Sequence, residues 1–364
     1  MLRVCHLISG DLWAGAEVMA CHLLTHLRAF PDIDLTVILL NEGRLARELR
    51  AAGLPVHVVD ESRRSFPQIA NAIRKILAPH PPDILHSHRY KENILAYLVS
   101  SFHPGVNFIA TQHGLPETLD QSIPWPERLK SKINSLILSW YFQKVVAVSG
   151  GIRTFFVNDL GFCAERVAVI HNGIEIPPTV CGKAANGPFV IGSAGRLFPV
   201  KDYLLMVRIA KELAPEREIY LALAGDGPER GALEKAIDEY GLTGRYILKG
   251  HLEDMDSFYR GLDLYLNTSV HEGIPMTILE AMVRGLPVIA PLVGGIGEII
   301  ENGVEGFLVP NRDPKAFAEK CLLLLQDAEL RQRMGQAARA KVERGFSAEH
   351  MARKYCQLYR ELAG

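Results

Sequence analysis

The stretch HEGIPMTILEAM sets two carboxylates, Glu272 and Glu280, either side of seven residues that hold a glycine, a proline and the start of an apolar stripe. Pro275 suits the first turn of a helix, where its fixed φ helps and its missing N–H is no loss. That reading leaves Glu272 in a loop and Glu280 inside the helix. The free N–H groups of the first turn, near Met276 and Thr277, then point at an anion, which the positive end of the helix dipole also favours. An ionised glutamate only accepts hydrogen bonds, and sugar hydroxyls donate them. The pattern asks for a sugar, a diphosphate and a second sugar ring.

A diphosphate needs positive charge, either from a divalent ion held by carboxylates or from side-chain cations. Arg196 and Lys201, in GRLFPVKD, supply the second option. Two triplets, Asp32-Ile33-Asp34 and Asp254-Met255-Asp256, have a form that carries metal in another class of sugar-transferring enzymes. The first sits in a turn before an apolar run. The second stands where an N-cap and a first-turn acid belong, so neither is expected to hold a metal. Plainer roles exist for the other charges: Arg196 as a solvated loop cation, Glu280 as a helix acid paired with Arg284 at i,i+4.

These residues follow apolar runs that read as strands. RVCHLI, LTVILL, VHVV, DILHSH, NFIATQH, KVVAVS and VAVI alternate with segments of helical period in the first half. Continuous Val-, Ile- and Leu-rich strands separated by helices predict a parallel sheet in an α/β layer. Pro, Gly and Asn then crowd into residues 176–188, which read as a linker. A second series follows: FVIGSAG, YLALAG, YILKG, LYLN, PVIA and GFLV. The expected organisation is an N-terminal domain over 1–175, the linker, a C-terminal domain over 189–345, and a last helix over 346–364 that could pack back on the first half, which periodicity does not decide. Open α/β sheets bind ligands beyond the carboxyl ends of their strands. There the first half carries Gly10, Gly15, His86, His88 and His113, and the second carries Arg196, Asp226, His251 and Glu272. Two such ends predict one cleft between two domains.

Composition excludes several classes. A chain of 364 residues exceeds what one core usually fills, and 48% hydrophobic content supports two. A formal net charge of −1 gives no global field for nucleic acid. Six cysteines are scattered without metal-ligand or paired spacing, which suits a reducing, cytoplasmic setting; Cys5 and Cys21 read as buried thiols. The opening LRVCHLIS reads as a strand, not a signal peptide, and no apolar stretch is long enough to span a bilayer.

The segment EGIPMTILEAMVRGLPVIA, with its Glu-x7-Glu pair, resembles the signature of retaining GT-B glycosyltransferases of family 4. GRLFPVK resembles that family's donor-phosphate stretch, AVSGGIRTFF and VIHNGIE its end-of-first-domain segments, LAGDGPE its second-domain glycine turn, and GGIGEIIENGVEGFLV its final strand region. The resemblance implies a GT-B fold, two Rossmann-like parallel-sheet domains facing a central cleft, and a hexosyltransferase acting on a nucleoside-diphosphate sugar without metal or other cofactor. It implies that Glu280 accepts from ribose hydroxyls and that Glu272 contacts the donor hexose. Arg196 and Lys201 would neutralise the diphosphate, the backbone at Met276 and Thr277 would donate to phosphate, and Gly15 would allow close approach of the first loop. His113 matches a histidine at the reaction centre, and the backbone near His251 and Leu252 would meet the base. Two departures stand out: the usual Gly-Gly of the first loop is Ala14-Gly15, and Asp202 follows Lys201 where Gly is common.

His88 and Asn93, in HSHRYKEN, are candidates for the acceptor side, with the loops 10–17, 88–93 and 114–126. Residues 124–144 mix Lys130, Lys132 and Lys144 with Ile133, Leu136, Ile137, Trp140, Tyr141 and Phe142. That density predicts a core helix; basic and aromatic residues together also suit an interfacial helix on anionic lipid, which would fit a lipid-linked acceptor. The resemblance itself implies a growing polysaccharide or another glycoconjugate as acceptor. Two other functions share these donor-side residues, a sugar-nucleotide epimerase and an idle sugar-nucleotide-binding protein. Acceptor-dependent release of nucleoside diphosphate separates all three.

Overall fold

The computed structural model describes every residue except 12, 101–104, 116–124, 179–186 and 217, and only the backbone of 100 and 127. The middle of the expected linker and most of the loop 114–126 lie outside the described residues. The chain forms two compact units, Met1–Glu175 with Ala348–Gly364, and Ile176–Ser347.

Among the described residues of unit 1, seven strands form a parallel sheet in the order β3-β2-β1-β4-β5-β6-β7. They are β1 (Leu2–Ile8), β2 (Ile33–Leu39), β3 (Val56–Val58), β4 (Ile84–Ser87), β5 (Asn107–Gln112), β6 (Lys144–Ala147) and β7 (Val167–Val169). Helices cover both faces, which is why the strands read as unbroken apolar runs. Cys5, Leu7, Ile38, Leu85, Phe108, Phe142 and Val145 form one continuous core. Register then decides the polar groups. His6 pairs with His86 between β1 and β4, and His86 with Ile109 between β4 and β5. Side chains alternate along a strand, so His6, His86, His88, Thr111 and His113 all fall on one face. The helix Ala348–Ala363 lies on that face: Tyr355 and Tyr359, one turn apart, are 1% and 0% exposed and reach these histidines. Its first N–H, at Ala348, donates to the Ile174 carbonyl at 2.8 Å.

Among the described residues of unit 2, six strands run in the order β10-β9-β8-β11-β12-β13. They are β8 (Phe189–Ala194), β9 (Ile219–Ala224), β10 (Tyr246–Gly250), β11 (Leu264–Leu266), β12 (Val288–Pro291) and β13 (Gly306–Val309). Ile191, Leu205, Leu221, Leu264, Ile289 and Phe317 anchor its core. Each sheet reverses direction of assembly at one place, between β1 and β4 and between β8 and β11. That switch point is where an open α/β sheet leaves a crevice for ligands.

The helix Trp125–Tyr141 departs from the core-helix reading. Ile137 and Leu138 are buried, but Trp125, Leu129, Ile133, Leu136 and Trp140 form an exposed stripe, with both tryptophans over 70% exposed. Arg128, Lys130 and Lys132 are exposed beside it, whereas Lys144 starts β6 and donates to the Glu165 carbonyl. Among the described residues no helix is long and apolar enough to cross a membrane. Cys5 is buried; Cys21 is only half-buried.

Candidate donor and histidine sites

In unit 2 the residues that could meet a phosphate and a sugar follow the two strands at the switch point. Lys201 leaves β8 through a short 3-10 turn, and its ammonium donates to Glu272 at 2.6 Å. Ser269 donates to the same Glu272 oxygen at 2.6 Å. The backbone is tied in parallel: Thr268 Oγ1 donates to the Lys201 carbonyl at 2.9 Å, and Val270 N to the Val200 carbonyl at 2.8 Å. The Lys201 and Glu272 side chains are 23% and 10% exposed, so the pair is fixed yet open on one side. Asp202, at the departing position, has a left-handed φ of 41° and caps the helix Tyr203–Glu212 through Leu205 N, while its carboxylate also takes Arg312. Glycine's freedom is replaced there by a capped aspartate.

The helix that carries Glu280 starts at Met276, not at Pro275; the proline is the extended N-cap. The first-turn N–H groups of Met276 and Thr277 therefore have no intrahelical acceptor. Glu280 accepts a 2.6 Å bond from the hydroxyl of Tyr259, a side chain with no exposure. Burial, and then the Glu280 charge, hold that phenol well above its usual pKa, so it stays a donor. Arg284 does not pair with the Glu280 carboxylate. It donates to the Glu280 carbonyl at 2.8 Å and to Asp256 at 2.9 Å, with its guanidinium 5.0 Å over the Tyr259 ring. The Glu280 carboxylate is thus oriented by a neutral donor.

Backbones pack closely around this pair. A Cβ on Gly225, at φ +137°, would lie 1.9 Å from the Gly195 carbonyl oxygen, and one on Gly294, at φ +51°, 1.9 Å from that of Glu272. The loops after β8, β9, β11 and β12 are pressed together at glycines because no side chain fits. Arg196 is not drawn into this cluster: it is exposed, its guanidinium 4.9 Å over the Phe198 ring. His251 and Leu252 lie between the edge strand β10 and the helix Met255–Arg260. Both Asp-x-Asp triplets are engaged elsewhere. Asp32 pairs with Arg360 through two bonds of 2.8 and 2.9 Å, and Asp254 caps its helix through Ser257 N.

In unit 1 the histidines form a hydrogen-bonded row. His113 Nε2 lies 3.4 Å from His88 Nδ1, and His88 Nε2 lies 3.1 Å from His6 Nδ1. His6 Nε2 is 3.1 Å from the Tyr359 hydroxyl, which is 2.7 Å from His86 Nδ1. His86 Nε2 meets Thr111 Oγ1 at 2.8 Å, and Thr111 meets the Tyr355 hydroxyl at 2.8 Å. Desolvation pushes His6 and His113 down to about 3, and His86 and His88 well below the usual imidazole range, so all four are neutral. His6, His86 and His88 have metal-ligand spacing, but hydrogen bonds within the row occupy their ring nitrogens.

This corrects the acceptor-side expectation. His88 is 3% exposed with both nitrogens used, and Asn93 is fully buried, its amide accepting from Ser87 at 2.6 Å and donating to Asn134 at 2.8 Å. Neither side chain is offered to a ligand. Nearer the β1 switch, buried Glu17 pairs with Arg89, which also reaches Asp11, and buried Glu92 accepts from Ser9. Burial raises the pKa of both glutamates. Gly15 opens the helix Gly15–Leu27 and is exposed, with Ala14 as its extended N-cap, so the alanine methyl meets no conformational obstacle.

Residues 13–176 match the family described as Glycosyltransferase Family 4, and residues 182–341 that described as Glycosyl transferases group 1. The chain is 31% identical over 306 residues to the D-inositol 3-phosphate glycosyltransferase of Corynebacterium urealyticum, covering 77% of this chain and 72% of that protein. It is 31% identical over 160 residues to the N-acetyl-alpha-D-glucosaminyl L-malate synthase of Bacillus anthracis, spanning 44% of this chain and 42% of that protein, less than half its length. Among solved structures, Anabaena HepE in complex with UDP and glucose matches with a TM-score of 0.86 at 21% identity, over 99% of this chain and 100% of that one, a likeness of fold. With two Rossmann-like parallel-sheet units and matches to both halves of the family, the chain belongs to the GT-B glycosyltransferases of family 4.

Proposed function

We propose that this glycosyltransferase moves a hexose from a UDP-sugar to a hydroxyl of a glycan or lipid-linked acceptor, with retention at the anomeric carbon and without a metal ion. The observation that carries this reading is the Lys201–Glu272 pair beside the open first turn of the Glu280 helix. The ammonium and the N–H groups of Met276 and Thr277 take the diphosphate, with Arg196 swinging off Phe198 to add a second cation. Glu272 accepts from the hexose and Glu280 from the ribose. The base rests on backbone near His251 and Leu252. As the sugar–phosphate bond breaks, charge grows on the leaving oxygen, and preorganised cations stabilise it most at that moment. The acceptor hydroxyl attacks from the face the diphosphate leaves, His113 standing at the reaction centre. Neither glutamate acts as a covalent nucleophile, since Glu272 is held by Lys201 and Ser269 and Glu280 by Tyr259. Metal independence is supported by the donor set: the cations are protein side chains, and both Asp-x-Asp triplets serve caps and ion pairs.

The support for UDP is that HepE has been solved with UDP, with UDP-glucose, and with UDP and glucose. Acceptor-dependent UDP release with an α-linked product from an α-linked donor, undiminished by chelator, is the expected result. Interconversion of donor sugars without acceptor would point to an epimerase, and tight binding without turnover to an idle binder. A lipid-linked acceptor is favoured by the exposed stripe of the helix Trp125–Tyr141 with its flanking Arg128, Lys130 and Lys132, an arrangement that suits an anionic bilayer surface. The protein should sediment with phosphatidylglycerol vesicles and less so as K130Q/K132Q; equal recovery with phosphatidylcholine vesicles would end that part.

A further inference from the structure

The row that links His113 to the C-terminal helix has a direction. The Thr111 and Tyr359 hydroxyls each have one proton and two neighbours in the row, the Tyr355 hydroxyl has one neighbour, and each neutral imidazole has one N–H and one lone pair. A proton order chosen at one end is therefore passed to the other, or two like groups must face each other. Two orders are possible. In one, Tyr355 donates to Thr111, Thr111 to His86 Nε2, His86 Nδ1–H to Tyr359, Tyr359 to His6 Nε2, His6 Nδ1–H to His88 Nε2, and His88 Nδ1–H to His113 Nε2. His113 then carries its proton on Nδ1. In the reverse order His113 carries it on Nε2, and the last proton, on the Tyr355 hydroxyl, has nowhere to go.

The ends decide between them. Tyr355 is 1% exposed and Thr111 is the sole partner of its hydroxyl among the described residues. His113 Nδ1 is buried and has no partner among the described residues. The forward order leaves one group unsatisfied, the His113 Nδ1–H; the reverse leaves two, the His113 Nδ1 lone pair and the Tyr355 O–H. Buried polar groups without partners are costly, so the forward order prevails. We infer that Tyr359, together with the row it completes, is a positioning residue that fixes His113 as the Nδ1–H tautomer and presents that N–H as a hydrogen-bond donor for a substrate oxygen. Burial, and then the Arg89 charge, favour neutral over protonated His113, which leaves the tautomer to the row.

Imidazole nitrogen chemical shifts of the full-length, 15N-labelled protein near pH 7.5 read the tautomer directly, with His113→Gln assigning the signal. The expected result is protonated Nδ1 and bare Nε2 in the parent. Tyr359→Phe cuts the row between His86 and His6, and His113 should become a mixture of tautomers. Tyr355→Phe removes an equally buried hydroxyl but leaves Thr111 to start the row, so His113 should stay Nδ1–H. A purely structural role for the tyrosines would not separate these variants. An Nε2–H tautomer in the parent overturns the inference whether or not the variants fold. So does an unchanged His113 in folded Tyr359→Phe. The use of this donor in transfer rests on the proposed reaction: Tyr359→Phe should lower kcat about fivefold, the scale of one neutral hydrogen bond, with KM for the nucleotide sugar unchanged. Loss of activity from another cause would leave the nitrogen spectra intact, so the two readings fail separately.

Discussion

Removing the Lys201 ammonium while keeping its stem, as Lys201→Met, isolates the charge at the centre of the proposed donor site. The bond it makes with Glu272 is 2.6 Å long, and the two side chains are 23% and 10% exposed, so water screens the pair only in part. A hydrogen bond to a charged partner contributes about 1.5–3 kcal/mol, which sets a loss of about 2 kcal/mol, roughly thirtyfold, in UDP affinity. A second effect has the same sign. Glu272 keeps Ser269 but loses its counter-ion, and its charge then repels the phosphates. Glu272→Gln removes that repulsion. It should leave UDP binding unchanged or tighter while weakening UDP-glucose, whose hydroxyls lose an acceptor. The double variant Lys201→Met/Glu272→Gln should bind UDP better than Lys201→Met alone, with a coupling of about 1 kcal/mol, beyond the ~0.5 kcal/mol within which independent sites add. Titration calorimetry with UDP and UDP-glucose on all four proteins closes the cycle. UDP affinity in Lys201→Met within twofold of the parent, or an additive cycle, would refute a phosphate-facing pair.

Three further expectations follow from other contacts. Tyr259→Phe should weaken UDP binding about tenfold by the loss of a charge-assisted bond to Glu280, whereas Tyr246→Phe, whose hydroxyl has no partner among the described residues, should not; equal affinities in calorimetry would separate Glu280 from the nucleotide. Gly225→Ala forces a Cβ to 1.9 Å from the Gly195 carbonyl at φ +137°, and should cost about 3 kcal/mol or more, lowering the melting temperature of unit 2 by roughly 6–12 °C. Gly303→Ala, also at positive φ but in open space, should cost less; similar melts for the two would refute the packing account. Finally, the buried histidines should make unit 1 acid-labile. Their folded pKa values are depressed, His6 and His113 to about 3, so below about pH 6.5 the unfolded chain binds protons that the folded one refuses. Stability present above that pH falls by about 1.4 kcal/mol per histidine per pH unit, and raised values at Glu17 and Glu92 offset part of this as pH approaches the carboxylate range. Melting curves of unit 1 that coincide at pH 7.5 and 5.5 would contradict it.

The strands and the two glutamates were legible because their signals are local. Unbroken apolar runs mark strands buried on both faces, and a Pro-Met-Thr start after a strand marks a helix terminus. Lys201 and Glu272 were each identifiable, but their contact was not, since it depends on loops stitched across 71 residues. Tyr259 gave no signal: a tyrosine in SFYRGL looks like core until the Glu280 helix is placed against it. The histidine row spans 353 residues from His6 to Tyr359. Its members on the strands share a parity that spacing reveals once register is known, but register is tertiary. His88 and Asn93 misled because strand-end polar residues resemble ligand contacts even when other side chains consume them. In the helix Trp125–Tyr141, apolar density suggested core, yet density does not say which face is covered, and among its described apolar side chains only Ile137 and Leu138 are buried.

The polypeptide leaves unit 1 at Glu175 and returns to it at Ala348. During synthesis, then, the seven strands of unit 1 emerge before unit 2, and their histidine face is covered only after residues 176–347 have followed. Until then that face lacks the helix that brings Tyr355 and Tyr359 to Thr111 and His86. A stop before Ala348 would discard the two hydroxyls that His86 and Thr111 bond in the folded unit. The architecture makes completion of the first unit depend on a segment synthesised after the second.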